Sequence, residues 1–85
     1  MLTQTLNFPI ADGMQAKPAS EITNYFRNFE GECYIQYKTF LANTKSIISL
    51  LGSGIPGGAE IEIQMDSPTA QADMEAFVSF LNTLG

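Results

Sequence analysis

Two short stretches of the chain carry residues whose types and spacing suit contact with an anion. In the first, Gly13 permits a backbone turn and Pro18 suits the opening turn of a helix, where its missing N–H would be unpaired anyway. The free amides of such a helix start, with Lys17 beside them, are compatible with an anion site and equally with an ordinary helix start. Gln15 or Ala16 lies near the N-cap, and the side-chain amide of Gln15 is neither a nucleophile nor a base.

The second stretch is Ser46 and the apolar run that follows it. The serine hydroxyl is well placed to cap a helix, because it can accept a hydrogen bond from an N–H two or three residues later. This helix must be short, since Gly52 and Gly54 interrupt it. Its apolar residues cannot all face inward, and exposed apolar patches often mark partner sites. We therefore expect a partner-binding apolar patch beside the cap, formed by Ile47, Ile48, Leu51 and Ile55.

The composition limits the chemistry that these stretches can perform. The 85 residues predict a single domain, 1–85, and they include no histidine and only one cysteine, Cys33. Without histidine, the chain lacks the usual general base, the activator of serine or cysteine nucleophiles and the commonest zinc ligand. The sequence therefore predicts a protein that is not an enzyme and that uses no metal or cofactor.

The charge and the apolar runs indicate where the protein acts. A net charge of −5 with only four basic residues argues against nucleic acid and against an anionic membrane surface as partners. No apolar run approaches the roughly 18 residues of a membrane span, and residues 1–8 lack the basic start of a signal peptide. A lone cysteine suits a reducing compartment, so we expect a cytoplasmic protein.

Hydrophobic periodicity predicts the elements that must position these stretches. Alternation is typical of strands at 2–8, 32–37, 40–42 and 60–65, and helical spacing covers 16–28, the short run after Ser46 and a final stripe from Ala70 to Leu84. We expect Gly31 to end the first helix and Ser67 or Thr69 to cap the last one. The order βαββαβα predicts an α+β open-faced sandwich, with a four-stranded antiparallel sheet covered on one face by three helices. The predicted core contains Ile22, Phe26, Ile35, Ile61, Ile63, Met74 and Phe77.

Both stretches resemble motifs of one known family. GMQAKPA at 13–19 resembles the active-site motif of the histidine-containing phosphocarrier protein (HPr) family, and NTKSI at 43–47 resembles that family's regulatory serine motif. Gly54 and the run GAEI at 58–61 continue the second motif, and the two motifs stand at the family's separation. The resemblance covers essentially the whole chain and implies the HPr fold, in the same βαββαβα order.

The resemblance also shows two departures that bear on function. The family's phosphorylated histidine falls on Gln15 and its arginine on Lys17. An amide nitrogen cannot form a phosphoramidate, so a phosphoryl relay through residue 15 is not expected. The resemblance then implies a regulatory branch similar to the catabolite-repression paralogue (Crh), which also carries glutamine there. In that branch a serine kinase/phosphorylase acts on the residue that matches Ser46, and a catabolite-control transcription factor reads the phosphoserine.

These implications assign roles to the candidate residues and leave two alternatives open. Gln15, Lys17 and Lys45 would contact an anion or a partner, and the apolar patch would dock the partner beside Ser46. One alternative is a protein-interaction module that keeps the fold but takes no phosphate. The other is a phosphocarrier or small enzyme that uses a different residue, although neither helix start offers a base or a nucleophile. The sequence leaves the oligomeric state, the pathway and the transcription factor open.

Overall fold

The computed structural model describes all 85 residues and contains four strands and three helices in the predicted order. The three helices and four strands are β1 (Leu2–Asn7), α1 (Ala16–Tyr25), β2 (Glu32–Tyr37), β3 (Phe40–Asn43), α2 (Ile47–Gly52), β4 (Glu60–Asp66) and α3 (Ala70–Leu84). The order βαββαβα and the α+β open-faced sandwich are therefore confirmed.

The four strands form one antiparallel sheet in the order β1-β4-β2-β3. In the register of the central strands, Ile35 lies opposite Ile63 and Cys33 lies opposite Met65, and all four side chains are buried. Because side chains alternate between the two faces of a strand, the intervening positions form a second, polar face. That open face carries Gln36, Glu62 and Gln64, among others, and none of these three is fully buried.

The helices bury their apolar stripes against the inner face of this sheet. Each helix contributes to one core of 17 residues, and every predicted core residue belongs to it. An aromatic cluster joins α1 to α3, with the rings of Phe26 and Phe77 4.7 Å apart and those of Tyr25 and Phe80 4.4 Å apart. This packing fixes the direction of α1 and therefore the position of its N-terminus.

The first helix is shorter than its predicted span of 16–28. It ends at Tyr25. The amide of Arg27 then donates to the carbonyl of Asn24, three residues earlier, instead of to a carbonyl four residues earlier as in an α-helix. Gly31 therefore does not end the helix. Gly31, with its positive φ of 145°, lies where two segments of the chain approach closely, since a Cβ there would lie 2.4 Å from the carbonyl oxygen of Asp66.

The start of the last helix also differs from the prediction. Thr69 occupies the N-cap position, but neither its hydroxyl nor that of Ser67 bonds a backbone amide of α3. Both hydroxyls instead donate to a carboxylate oxygen of Asp73, at 2.8 Å and 2.6 Å respectively. The acidic side chain in the first turn takes up both donors, and it also suits the positive end of the helix dipole.

Candidate functional site

The start of α1 is held by the chain segment that follows α2. The amide of Met14 donates to the carbonyl of Ile55 at 2.8 Å. Gly13 has a φ of 80°, and a Cβ at this position would lie 2.6 Å from the same carbonyl oxygen. Glycine is thus required here by the backbone turn and by the close contact, as the sequence indicated.

Gln15 is the N-cap residue of α1, but its side chain does not cap the helix. Its Nε2 donates to the backbone carbonyl of Asp12 at 3.2 Å, and the residue is exposed. Gln15 and Lys17 line the same cleft, of about 360 Å³, at the helix start. The cleft is also lined by Ile10, Asp12, Gly13, Pro18, Glu21, Thr83 and Leu84. Two carboxylates therefore accompany the single ammonium, which makes the cleft a poor place for an added phosphoryl group.

Ser46 caps α2 as predicted. Its Oγ accepts a hydrogen bond from the amide of Ser49 at 3.2 Å, and its own amide donates to the carbonyl of Asn43 at 3.0 Å. The amide of Asn43 in turn donates to the Oγ of Ser49 at 2.9 Å. Ser49 was not among the residues predicted from the sequence, and its spacing of three from Ser46 was the only signal for it. These three bonds join the N-terminus of α2 to the edge strand β3 and hold the half-buried Ser46 at the start of the helix.

Some apolar residues of α2 and of the chain just after it are buried and others are exposed, and one of them differs from the prediction. Leu50 is fully buried, whereas Ile48 is 80% exposed, Leu51 43% and Ile47 39%. Ile55 was expected in the exposed patch, and this is wrong, because it is only 2% exposed. After the turn at Gly54, which has a φ of 64°, the chain returns to the core at Ile55, and its carbonyl binds the start of α1. The exposed patch on α2 therefore consists of Ile47, Ile48 and Leu51.

Lys45 precedes the cap, and its ammonium is held by the backbone. The Nζ donates to the carbonyls of Phe29 and Gly31, at 2.8 Å and 2.9 Å, in the loop that follows α1. The start of α2 thus lies near the chain after α1, while the start of α1 lies near the chain after α2. Lys17 and Lys45 therefore belong to opposite ends of this helix pair and do not converge on one anion.

Cys33 does not add a reactive thiol to the site. The residue is fully buried on β2, and burial raises the pKa of its thiol from 9.0 to about 12, although the Thr44 side chain acts in the opposite direction through a hydrogen bond. A thiol with so high a pKa stays protonated near neutral pH and is a weak nucleophile. No group of three histidine, cysteine or acidic residues in the structure could hold a metal ion. No helix is long and apolar enough to cross a membrane.

Comparison with known proteins identifies this arrangement. The family model described as "PTS HPr component phosphorylation site" matches residues 2–83, nearly the whole chain. The chain belongs to the HPr family of the phosphotransferase system. Members of this family are phosphocarrier proteins rather than enzymes.

Relatives and solved structures place the chain more closely within the family. It is 27% identical over 81 residues to the HPr-like protein Crh of Halalkalibacterium halodurans, covering 95% of this chain and 96% of the relative. The fold is similar to that of HPr-C-His from Thermoanaerobacter tengcongensis, with a TM-score of 0.87, 18% identity and coverage of 99% and 94% of the two chains. It is also similar to the catabolite repression protein Crh of Bacillus subtilis, solved as a domain-swapped dimer, with a TM-score of 0.75, 20% identity and coverage of 98% and 95%. The chain is thus an HPr-family member that resembles Crh.

Proposed function

We propose that this protein is a regulatory member of the HPr family, which is phosphorylated on Ser46 and does not relay phosphoryl groups through residue 15. The observation that carries the proposal is the pairing of the Ser46 hydroxyl, held at the start of α2, with the exposed side chains of Ile47, Ile48 and Leu51. A kinase can dock on such a patch and reach the hydroxyl beside it. In this proposal the protein is cytoplasmic and has no catalytic activity of its own.

The electrostatics around Ser46 favour a phosphate. Phosphorylation would add about −1.5 to −2 charges and three acceptor oxygens at a helix N-terminus, where the dipole favours anions. The first turn of α2 contains no acidic residue that would repel them. A phosphate oxygen can replace the Ser46 Oγ as the acceptor for the amide of Ser49, so the fold need not change. What changes is the surface beside Ile47 and Ile48.

A partner can read the phosphate and the patch together. An arginine or lysine over the phosphate would form charge-assisted hydrogen bonds, worth roughly 1.5–3 kcal/mol each, while an apolar pocket takes Ile47 or Ile48. The resemblance to Crh supports a catabolite-control transcription factor as this partner and a serine kinase/phosphorylase as the modifying enzyme. The protein would then act in carbon catabolite control without contacting nucleic acid or membrane itself.

The arrangement around Gln15 supports the absence of a phosphoryl relay. Its side chain has no nucleophilic nitrogen, and the cleft around it contains the carboxylates of Asp12 and Glu21. The buried thiol of Cys33 is no substitute, because of its raised pKa and its position in the core. A phosphocarrier that uses another residue therefore has less support than a regulator read at Ser46.

The modification is tested by incubating the protein with the serine kinase/phosphorylase and ATP and measuring the intact mass. We expect one phosphate on the wild type and none on Ser46→Ala, which should also lose about 1 kcal/mol of stability with its cap. The matched control is Ser79→Ala, which removes an exposed serine on α3 and should leave phosphorylation unchanged. Phosphate on a residue other than Ser46 would contradict the proposal.

The regulatory role is tested by measuring how tightly the phosphorylated and unphosphorylated forms bind the transcription factor. The phosphorylated form is expected to bind more tightly, because only that form offers the dianion. Ser46→Asp should mimic it poorly, having one charge and two oxygens. Equal affinity of the two forms would leave the fold as a protein-interaction module that takes no regulatory phosphate.

A further inference from the structure

The side chain of Lys45 connects two segments that are distant in the sequence. Its Nζ donates to the backbone carbonyls of Phe29 and Gly31, at 2.8 Å and 2.9 Å, and lies 6.0 Å from the centroid of the Phe29 ring. Glu30 stands between these two residues in the chain, and its negative charge favours an ammonium there. The lysine therefore ties the segment before α2 to the turn after α1.

The turn that receives Lys45 is itself fixed to the core. The amide of Phe29 donates to the carbonyl of Phe26 at 3.1 Å, and the two rings pack edge to face with their centroids 5.1 Å apart. Phe26 is fully buried. On the other side of the turn, Gly31 lies against the carbonyl of Asp66 at the end of β4. The ammonium is thus bound to a part of the molecule that core packing holds in place.

The segment that contains Lys45 has several bonds that converge on Ser46. The Lys45 amide donates to the side-chain Oδ1 of Asn43 at 2.9 Å, and the Ser46 amide donates to the carbonyl of the same asparagine at 3.0 Å. Between them, Thr44 donates to the carbonyl of Cys33 through both its amide and its hydroxyl. Thr44 therefore ties this segment to β2, and the Lys45 ammonium ties it to the turn after α1.

The placement of the Ser46 hydroxyl matters for phosphoryl transfer. Its Oγ accepts from the amide of Ser49 at 3.2 Å, which uses one of two lone pairs and leaves the second lone pair and the hydroxyl proton for the reaction. In the transfer from ATP, the Oγ attacks the γ-phosphorus, the hydroxyl proton passes to a base of the kinase, and the bond to the bridging oxygen breaks to release ADP. Such an in-line attack requires the oxygen to be held within a narrow range of positions.

We propose that Lys45 is a positioning residue for the phosphorylation of Ser46. Its ammonium holds the residue before the cap against the turn after α1, and this keeps the hydroxyl in place for the kinase. The inference rests on the proposed function, because it concerns how that same site is modified. Lys45 acts through the backbone that it shares with Ser46, so its loss should slow the transfer step rather than weaken capture of the protein by the kinase.

The proposal is tested by the kinetics of Ser46 phosphorylation with the serine kinase/phosphorylase and ATP. Lys45→Met keeps a long side chain and removes its donors, and it should lower kcat about fivefold or more, with KM within about twofold of wild type. Lys45→Arg can donate to the same carbonyls and should recover about half or more of the lost rate. A rise in KM with unchanged kcat would indicate a direct contact with the kinase and would contradict the positioning role.

Two control variants separate positioning from charge and from stability. Lys38→Met removes another exposed ammonium, which lies 5.4 Å from the centroid of the Tyr37 ring. Asn7→Ala removes a side-chain bond to the carbonyl of Gly58, at the opposite end of β4 from the turn that receives Lys45. Both controls should keep kcat within about twofold of wild type. If either control lowered kcat as much as Lys45→Met does, the positioning role would be wrong.

A second measurement follows the cap in the protein without the kinase. Hydrogen exchange observed by NMR reports the opening of the Ser49 amide, which is bonded to the Ser46 Oγ. Lys45→Met should speed exchange at this amide about threefold or more, and Asn7→Ala should leave it within about twofold of wild type. Unchanged exchange in Lys45→Met would show that the ammonium does not hold the cap, and the inference would fail.

The failure of this inference can be told apart from the failure of the proposed function. If the kinase phosphorylates the wild type at Ser46 and Lys45→Met at the same rate, the positioning role alone is wrong. If the wild type takes no phosphate at Ser46, the proposed function is wrong and the positioning role falls with it.

Discussion

Cys33 gives the structure a specific dependence on alkaline pH. Its thiol pKa is about 12 in the fold and 9.0 when not buried, because burial disfavours the thiolate. The unfolded chain therefore releases the thiol proton first as the pH rises. The contribution that this pKa shift makes to the free energy of unfolding is complete below pH 9 and is lost progressively as the pH approaches 12. At pH 11, two pH units above the unshifted pKa of 9.0, the shift corresponds to roughly 2–3 kcal/mol of stability lost to this one residue, at about 1.4 kcal/mol per pH unit.

The assay is urea unfolding followed by circular dichroism at pH 7, 9, 10 and 11, for the wild type and for Cys33→Ala. The alanine variant should be less stable at pH 7 because of the cavity, so the quantity compared is the change in the free energy of unfolding with pH. Between pH 9 and 11 the wild type should lose about 2 kcal/mol or more beyond the loss seen in the variant. Tyr25, whose pKa is raised by burial, by Asp73 and by Cys33, is present in both proteins, so only the part of its shift that is due to Cys33 differs between them. If the free energies of unfolding of the two proteins changed in parallel with pH, burial would not raise the pKa of the Cys33 thiol as described.

The other predictions concern phosphoryl transfer, the core and the two lysines. Phosphoenolpyruvate and the upstream phosphotransferase enzyme should not label the wild type, and acid-labile phosphate on it would contradict this statement. Gln15→His tests the rest of the site: labelling of this variant would mean that the helix start and Lys17 are still arranged for phosphate, and an unlabelled variant would mean that more than residue 15 has been lost, as the carboxylates of Asp12 and Glu21 lead us to expect. Phe77→Ala should lower the free energy of unfolding in urea by about 3–5 kcal/mol, since the ring is fully buried in the aromatic cluster. A loss under about 1 kcal/mol would mean that α3 does not bury this ring. Lys45→Met should cost about 1 kcal/mol by loss of its two carbonyl contacts, and Lys17→Met less than about 0.5 kcal/mol; equal losses in the same assay would argue against the bridging role of Lys45.

Most of the fold could be predicted because its signals are local. Alternation in 60–65 put Ile61, Ile63 and Met65 on one face, and the structure buries all three. Helix boundaries were less predictable where tertiary contacts compete with helical bonds. The aromatic and asparagine residues near the end of α1 continue the helical spacing, yet the helix ends at Tyr25, and the ring of the C-cap residue Phe26 packs against Phe77 of α3.

The candidate site likewise has features that follow from neighbouring residues and features that depend on the fold. The cap at Ser46 follows from residue type and position, since a serine before an apolar run bonds amides only a few residues away. The fate of Ile55 does not, because it depends on a contact with Met14, more than 40 positions earlier in the chain. The role of Lys45 likewise depends on carbonyls in a loop that the sequence places far from it.

The sequence by itself determined which residue types the chain lacks and much of its local structure. The absence of histidine, the glutamine at position 15 and the serine cap at position 46 need no fold to be recognised. Only the tertiary structure decided which apolar side chains of α2 stay exposed, that Ile55 is buried, and that Lys17 and Lys45 lie at opposite ends of a helix pair. The physical reason is distance along the chain: caps, turns and alternation involve neighbouring residues, whereas burial and charge placement depend on segments brought together when the core closes.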